Sequence, residues 1–303
     1  MKIAILGASG HVGKTLLHEL SAIDSVEAYA FLRRPDVIIN DRRLPEHAKQ
    51  HVYHIDSFSS CQCDAVVNCI GMGDPSLIKD RPIDLFLLTE KYDELIMEYL
   101  TGHEDCVAVN ISSGAVYGSD FATPADSSTV LSIPVNQIAQ SSYYTIAKLN
   151  AEAKHRAASN LIIADVRLFS YFSQYISLEM NYFMVDVVNA IRTGSQLKTS
   201  SDNIIRDYIH PKDFAQLIFL VICNRMNMVV DAYSLQPVSK FEILDFVKSK
   251  YMMNYHNAEV SASATGEKNQ YYSINKKAGE LGYIPQFTSL DSIIYGLTGL
   301  ICE

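Results

Sequence analysis

The chain opens with Met1-Lys-Ile-Ala-Ile-Leu-Gly-Ala-Ser-Gly-His-Val-Gly13, and the rest of the molecule is organised around this stretch. Lys2–Leu6 is a short, apolar, β-rich run that reaches its first glycine without a polar linker. The residues that follow carry a helical pattern of apolar side chains at Leu16, Leu17 and Leu20. A strand that turns on glycine into a helix leaves unpaired backbone N–H groups at the positive end of the helix dipole. The stretch therefore predicts a helix N-terminus that suits a pyrophosphate.

The glycine spacing is Gly7-x-x-Gly10-x-x-Gly13, which is looser than the dinucleotide fingerprint G-x-G-x-x-G. Glycines in a strand–helix turn are often only structural, so the spacing alone is weak evidence. Its position directly after a strand favours a bound dinucleotide. The residues predicted to contact that cofactor are Gly7, Ser9, Gly10, His11, Val12 and Gly13.

Composition narrows the class of protein. The 303 residues carry a net charge of −9, which argues against a nucleic-acid partner because phosphate-backbone binders usually have a basic excess. No stretch approaches the roughly 20 apolar residues that a membrane span needs. The first strand begins at residue 2, so no signal peptide is expected and the protein is predicted to be cytoplasmic.

The cysteines predict reduced thiols and no metal site. Only Cys61-Gln-Cys63 is closely spaced, and no second Cys/His pair follows at the spacing of a zinc site. The other four are Cys69, Cys106, Cys223 and Cys302.

Apolar strands alternate with helical segments through the first half of the chain. The predicted strands are Lys2–Leu6, Val26–Leu32, Val52–Ile55, Ala65–Ile70, Cys106–Ile111 and Leu161–Arg167, and the longest predicted helices are Ile83–Leu100 and Ser142–Ser159. This order predicts an α/β fold of the Rossmann type, in which helices cover both faces of a doubly wound parallel sheet. Ligands bind such sheets beyond the carboxyl ends of the strands. Arg33, Asp56, Gly71 and Ser113 all follow predicted strands, as the glycine turn does.

Beyond Arg167 the pattern loosens and predicts a second, smaller domain. Ile204–Ile209 and Pro211–Cys223 are predicted to be a strand and a helix that rejoin the main sheet, and Ser239-Lys-Phe-Glu242 is a capping box that opens another helix. The predicted cofactor domain is 1–168 plus about 204–233. The predicted substrate-binding domain, interleaved with it at the C-terminal side, is about 169–203 plus 234–303.

Tyr144-Thr-Ile-Ala-Lys148 places a phenol and an ammonium on one face of a helix. A free phenol has a pKa near 10 and is a poor acid or base at neutral pH, whereas a fixed ammonium stabilises the phenolate and makes proton transfer usable. The same spacing also occurs in ordinary helical pairs. Ser113 could hydrogen-bond a substrate oxygen, although serines at strand ends often only form turns.

Together, the glycine turn, the serine and the Tyr-x-x-x-Lys pair resemble the extended short-chain dehydrogenase/reductase family of NAD(P)-dependent sugar-nucleotide epimerases, dehydratases and reductases. Matching segments run in the family's order from residue 2 to about residue 285. Those beyond the glycine turn and Tyr144–Lys148 are Ser112-Ser113-Gly-Ala-Val-Tyr117-Gly118, Arg167-Leu-Phe-Ser-Tyr171, Arg206-Asp-Tyr-Ile-His210-Pro-Lys-Asp213 and Leu281-Gly282-Tyr283-Ile-Pro285.

The resemblance implies three catalytic residues. Tyr144 would exchange a proton with a sugar hydroxyl or ketone oxygen, and Ser113 would orient that oxygen. Lys148 would tune Tyr144 and hydrogen-bond the nicotinamide ribose, so that Tyr144 and Lys148 also belong to the cofactor site.

The resemblance also implies a nucleotide-sugar substrate. Ser113, Ser170 and Arg206 would contact it, with the guanidinium fork of Arg206 on its diphosphate. The alternative for Arg206 is an ion pair with Asp207 or Asp213. Ser170 stands where the family has asparagine.

The end of the second predicted strand indicates the cofactor. An acidic residue there would bond an adenine-ribose diol, whereas arginine would pair with a 2′-phosphate. The sequence reads Phe31-Leu32-Arg33-Arg34, which predicts NADP rather than NAD. Asp56 resembles the family's aspartate that bonds the adenine amino group, and Gly71 belongs to the glycine turn that ends the fourth strand.

Two absences narrow the reaction. The family's 4,6-dehydratases carry an Asp-Glu pair after the serine, and its 3,5-epimerase-reductases carry a cysteine two residues after it. This chain has Gly114 and Ala115 at those positions. The remaining hypotheses are an NADP-dependent reductase of a keto-sugar nucleotide, which the arginines favour, a sugar-nucleotide 4-epimerase, and a non-catalytic NADP(H)-sensing regulator. By resemblance, Ile83–Leu100 and Ser142–Ser159 are candidates for a homodimer contact.

Overall fold

The computed structural model describes residues 1–118, 121–257 and 269–301, so Cys302 lies outside the described residues. The strands are β1 (Lys2–Leu6), β2 (Glu27–Leu32), β3 (Val52–His54), β4 (Ala65–Asn68), β5 (Val107–Ser113), β6 (Ile163–Leu168), β7 (Leu197–Thr199), β8 (Ile205–Arg206), β9 (Met228–Asp231), β10 (Val238–Ser239), β11 (Tyr255–Asn257) and β12 (Gln270–Tyr271). The α-helices are α1 (His11–Ser21), α2 (Asp36–Ile39), α3 (Pro75–Asp80), α4 (Pro82–Thr101), α5 (Tyr143–Ala157), α6 (Phe183–Thr193), α7 (Pro211–Asn224), α8 (Lys240–Tyr251) and α9 (Ser289–Ile301).

Seven parallel strands form the central sheet in the order β3-β2-β1-β4-β5-β6-β9. The order reverses between β1 and β4, and this is where doubly wound sheets bind ligands. β4 and β5 are buried along their whole length because helices cover both faces of the sheet. The predicted Rossmann-type fold is confirmed.

Side chains of β1 alternate between two hydrophobic layers, as the pleat of a strand requires. Ile3 and Ile5 pack with Leu16 of α1 and Phe214 of α7, whereas the opposite face packs against α4. The residues of that second layer include Ala4, Leu6, Tyr92, Ile96 and Tyr99.

A separate hydrophobic cluster joins α6, α8 and α9. It contains Val188, Leu244 and Leu297, all fully buried, and it lies beside two small sheets of order β10-β8-β12 and β11-β7. The predicted capping box is confirmed, since Ser239 and Glu242 bond each other's backbone N–H groups at the start of α8.

The strand predicted at Ile204–Ile209 is wrong in both length and place. Only Ile205–Arg206 is extended, and it pairs with β10 and β12 rather than with the main sheet. The chain leaves the strand at Asp207, whose buried carboxylate accepts the backbone N–H of Ser234. The strand that joins the main sheet after α7 is Met228–Asp231, a run too short for periodicity to identify.

The C-terminal half of α5 carries a buried ionic network. His155 lies between two carboxylates, with Nε2 2.6 Å from Asp93 Oδ1 and Nδ1 2.8 Å from Asp165 Oδ1. Lys154 pairs with Asp93, and Arg156 donates to Asp165 Oδ2 at 2.9 Å. Although burial opposes the charge, the hydrogen bonds that His155 donates to both carboxylates raise its pKa to about 9.

Among the described residues, no helix combines the length and the apolarity that crossing a bilayer requires. Five of the six cysteines fall within the described residues, and they are free thiols at Cys61, Cys63, Cys69, Cys106 and Cys223.

Candidate active site

The glycine turn between β1 and α1 is tight enough to require two of its three glycines. Gly7 has a φ of +78°, and its N–H donates to Phe31 O on the neighbouring strand at 3.0 Å. A Cβ on Gly13 would lie 2.8 Å from Ala8 Cα and overlap the carbonyl oxygen of Gly7. A Cβ on Gly10 would make only an ordinary 3.4 Å contact, so packing does not require that glycine. Its bare Cα leaves room in front of the helix.

The start of α1 fits an anionic group. Gly10 is the N-cap, and the first intrahelical bond runs from Lys14 N–H to Gly10 O at 2.9 Å. The N–H groups of His11, Val12 and Gly13 precede that bond and point out of the helix start. These residues fit the pyrophosphate of a dinucleotide, and Ser9 is exposed beside them.

The His11 imidazole holds a distant segment. Ser173 N–H donates to His11 Nε2 at 3.0 Å, and Ser173 Oγ also lies 3.0 Å from Thr15 Oγ1. Burial lowers the pKa of His11 to about 3, so the ring is neutral. Any contact of His11 with a phosphate would therefore come from its backbone N–H. Sequence reasoning missed Ser173, which no motif marks.

Arg33 and Arg34 are both exposed directly beyond the end of β2. Asp56, in the turn after β3, is also exposed and lies 3.2 Å from His54 Nδ1. β2 and β3 are neighbours, so the structure places these three predicted cofactor residues along one edge of the sheet.

A buried ion pair fixes the first turn of α1, which follows the glycine turn, and sequence reasoning missed it. Lys14 Nζ lies 2.5 Å from Asp41 Oδ2, and Arg43 binds the same carboxylate at 3.0 Å. Although burial opposes it, hydrogen bonds from Arg43 and Lys14 hold the pKa of Asp41 below its usual range. The only sequence signal was a lysine inside an apolar helical pattern.

The predicted catalytic serine ends β5. The strand runs two residues farther than predicted, so Ser113 belongs to the strand and is buried. Its Oγ accepts Ala115 N–H at 3.2 Å and lies 3.2 Å from the hydroxyl of Tyr271. Thr145 Oγ1 donates to Ala115 O at 2.8 Å and so fixes the start of α5 beside the serine. Tyr271 lies 158 residues downstream, and no motif pointed to it.

Lys148 and Tyr144 lie next to this serine on α5. The buried Lys148 ammonium donates to Ile111 O at 2.9 Å, near the end of β5. A Cβ on Gly71 would lie only 3.6 Å from Nζ, so the turn after β4 also reaches the ammonium. Tyr144 is half-buried one turn earlier. Burial raises the pKa of Tyr271, and the nearby phenol of Tyr144 adds to that rise. The structure therefore brings the predicted triad together.

Arg206 joins the same site through Tyr271. The two residues are partners on β8 and β12, and the Arg206 guanidinium lies 5.6 Å from the centre of the Tyr271 ring. Burial lowers the pKa of Arg206, although a guanidinium stays charged. Ser170 follows the end of β6, the strand that pairs with β5, and it forms a backbone bridge with Tyr208.

The two carboxylates offered as alternative partners of Arg206 are engaged elsewhere. Asp207 accepts the N–H of Ser234, and Asp213 accepts the N–H of Gln286 at 3.0 Å.

The residue after the serine has no room for a side chain. A Cβ on Gly114 would lie 2.8 Å from Phe169 Cγ and closer still to the ring edge. Phe169 is buried and packs against the ring of Tyr271 with their centres 5.2 Å apart. The absence of an acidic residue at position 114 thus has a packing cause.

Below the serine, a chain of polar contacts ties α5 to three strands. Ser112 Oγ donates to Glu152 Oε1 at 2.6 Å, and Glu152 pairs with Arg167 at 2.6 Å. Arg167 in turn donates to Tyr117 OH at 2.8 Å, and that hydroxyl donates to Asp231 Oδ2 at 2.9 Å. Burial and Asp231 raise the pKa of Tyr117 to about 12, so this tyrosine is a structural donor rather than a second acid.

Solved structures similar to this one cover nearly the whole chain. A UDP-glucuronic acid 4-epimerase from Bacillus cereus, solved with a UDP-sugar and NAD, is 18% identical, with a TM-score of 0.80 over 100% of this chain and 99% of that one. A UDP-glucose 4-epimerase from Stenotrophomonas maltophila is 15% identical, with a TM-score of 0.82 over 100% and 98%. A dTDP-glucose 4,6-dehydratase from Bacillus anthracis is 16% identical, with a TM-score of 0.77 over 100% and 97%.

A comparison of the sequence with curated proteins finds no significant match. The model of the NAD dependent epimerase/dehydratase family matches residues 3–233, which include the glycine turn, the serine and the Tyr-x-x-x-Lys pair. The chain belongs to the NAD-dependent epimerase/dehydratase family.

Proposed function

We propose that this protein is an NADP-dependent oxidoreductase that reduces a keto group of a nucleotide-linked sugar or deoxysugar. The observation that carries the proposal is the convergence of Ser113, Tyr144 and Lys148 beside the switch point of the sheet. A polar triad at that place, in front of a helix start built for a pyrophosphate, suits hydride transfer with a proton supplied from the protein.

Each residue of the triad has one task in the reduction. Bound NADPH supplies the hydride that the carbonyl carbon accepts, and is thereby oxidised to NADP. Tyr144 gives its phenolic proton to the carbonyl oxygen, so that the ketone becomes an alcohol. Lys148 stabilises the phenolate that remains, and Ser113 hydrogen-bonds the oxygen while its charge develops.

The choice of NADP rests on Arg33 and Arg34. Both guanidinium groups are exposed where the adenine ribose of a dinucleotide would lie. The sequence at the end of β2, Phe31-Leu32-Arg33-Arg34, contains no acidic residue that would favour a free diol. The Bacillus cereus and Bacillus anthracis neighbours were solved with NAD, so the cofactor preference needs its own test.

The substrate class rests on the half-buried Arg206 and on the neighbours. Arg206 supplies a positive charge for a diphosphate beside the triad, with Ser170 nearby. The Bacillus cereus neighbour was solved with a UDP-linked sugar, and the Bacillus anthracis neighbour is a dTDP-glucose 4,6-dehydratase. We further propose that the substrate lies between the cofactor domain, 1–168 plus about 204–233, and a substrate domain of about 169–203 plus 234–303.

A 4-epimerase is the second candidate, because two of the neighbours described above are 4-epimerases. The intact triad argues against a non-catalytic NADP(H) sensor, which needs no proton donor. We also propose a homodimer through α4 and α5, whose outer faces expose Ile83, Leu87 and Leu149.

The test mixes the purified protein with NADPH and a panel of 4-keto-6-deoxy sugar nucleotides. Loss of one NADPH for each sugar reduced supports the reductase. Product without net loss of NADPH identifies the epimerase, and tight NADP(H) binding without any product identifies the sensor.

The cofactor is tested by binding. Arg33→Ala should weaken NADP binding about 10-fold, because one charge-assisted contact to the 2′-phosphate is lost, and leave NAD binding unchanged. Arg42→Ala is the matched control, since Arg42 is also exposed but lies beyond α2. Unchanged NADP affinity in Arg33→Ala would remove the basis for NADP.

A further inference from the structure

Tyr271 contacts Ser113 of the triad from a strand near the C-terminus. It ends β12, more than 150 residues after Ser113, and is fixed by its neighbours. The ring is buried between Phe121, with centres 4.8 Å apart, and Phe169, and the guanidinium of Arg206 lies over it. A ring held on several sides cannot swing, so the direction of its hydroxyl group is set by packing.

The polarity of the contact between Tyr271 and Ser113 follows from their chemistry. A phenol is a stronger hydrogen-bond donor than an aliphatic alcohol, and burial raises the pKa of Tyr271 so that it keeps its proton. Either hydroxyl could donate across the 3.2 Å between them, and the more acidic phenol is the better donor to Ser113 Oγ. Ala115 N–H donates to the same oxygen.

When the phenol donates, Ser113 Oγ accepts two hydrogen bonds, one from Tyr271 and one from Ala115 N–H, and both of its lone pairs are used. The hydroxyl hydrogen of the serine is then left to donate, and the remaining direction is away from Ala115 and Tyr271. A substrate oxygen in front of the triad would receive that hydrogen. A serine that lacked the phenol could instead turn and accept a hydrogen bond from the substrate.

We propose that Tyr271 is a positioning residue that holds the hydroxyl of Ser113 as a hydrogen-bond donor toward the reacting oxygen. The inference rests on the proposed reduction. It adds a residue that acts through the serine and transfers no proton itself, and it couples the C-terminal segment to the chemistry.

A double-mutant cycle in the NADPH assay tests the proposal. Ser113→Ala should lower kcat about 100-fold, the effect of removing one donor to a developing oxyanion. Tyr271→Phe should lower kcat roughly 10-fold, with KM changed by less than about twofold, because one hydrogen bond to the serine is lost and the ring is kept. The double variant should be no slower than Ser113→Ala, since the tyrosine has nothing left to act on.

Tyr272→Phe is the matched control, because it removes a neighbouring hydroxyl that bonds Gln270 Oε1 at 3.4 Å instead of the serine. Its kcat should equal that of the wild type. The proposal is overturned if the double variant is a further 10-fold slower than Ser113→Ala, which would mean independent action. It is also overturned if Tyr271→Phe raises KM with kcat intact, which would mean a direct substrate contact.

The proposed reduction and the role of Tyr271 can be refuted separately. A wild-type protein that reduces no compound in the panel refutes the proposed function. If the wild type is active and the kcat losses of the two single variants multiply in the double variant, only the role of Tyr271 is refuted. Urea unfolding of the same four proteins checks the contact without turnover. The loss of urea midpoint in the double variant should be smaller than the sum of the two single losses, and additive losses would contradict the hydrogen bond.

Discussion

The two halves of α5 use similar residues for opposite purposes. In the first half, Tyr144 is half-buried at the site and Lys148 reaches the end of β5. In the second half, Glu152 and His155 are buried, and each is tied to a partner of opposite charge. The first half keeps a proton available for transfer, whereas the charged side chains of the second half form ion pairs that fix the helix against β6 and α4. A rigid second half is what allows the first half to hold a precise geometry.

The largest effect expected in the first half is on turnover. Tyr144→Phe should lower kcat about 1,000-fold, because the proton donor is lost, while NADP affinity stays within about twofold. Steady-state kinetics with NADPH and the substrate found in the panel measure kcat, and fluorescence titration measures the affinity for NADP. Tyr143→Phe is the control, since Tyr143 packs instead against Phe86. Retained activity in Tyr144→Phe would refute the mechanism.

The corresponding change in the second half should affect stability. His155→Leu leaves Asp93 and Asp165 buried without their shared cation, and should lower the free energy of unfolding by about 3–5 kcal/mol. Urea unfolding followed by circular dichroism measures this loss. The exposed His47→Leu should change it by less than about 0.5 kcal/mol. If the two variants are equally stable, the network does not hold the helix.

The pH dependence should differ between the halves as well. The pKa of His155 is about 9 in the folded protein, above its ordinary value of 6.5, so the folded state binds this proton more tightly. Its contribution to stability is complete below about pH 6.5 and is lost as pH rises through 9. The urea midpoint of the wild type should therefore fall between pH 6.5 and 9.5. In His155→Leu the urea midpoint should fall clearly less over the same pH range. An identical fall in the variant would mean that other groups cause the pH dependence.

The smallest effect is expected at the boundary between the halves. Glu152→Gln keeps the shape of the side chain but weakens the contacts to Arg167 and Ser112, and should cost about 1–2 kcal/mol of stability. Turnover should change by less than about threefold, because Glu152 does not reach the reacting atoms. A loss of kcat comparable to that of Tyr144→Phe would move the boundary of the catalytic half toward the C-terminus.

The sequence predicts the first half of α5 far better than the second. Glycine spacing and Tyr-x-x-x-Lys are local patterns, and each identifies its residues because the chemistry requires neighbours on one turn or one helix face. The contacts of His155 come from α4 and β6, about 60 and 10 residues away, and no local pattern records them. Alternation of strands and helices likewise predicts the sheet.

What the sequence could not predict are partners brought by the fold. Tyr271 meets Ser113 because β12 pairs with β8, and both strands are two residues long. Ser173 reaches His11 from an irregular segment. Such contacts depend on how segments that are distant in the sequence pack together, and the periodicity of apolar residues carries no information about that packing.

The packing of Phe169 on Gly114 limits how this protein could be redesigned or could diverge. An acidic residue placed after the serine, the arrangement that the family's dehydratases use, would strike the aromatic ring before it reached any substrate. A single substitution at that position should therefore displace Phe169 and distort the site. To introduce water elimination, a smaller side chain would first have to replace Phe169. In that first variant, Tyr271 would lose the ring of Phe169 that packs against it.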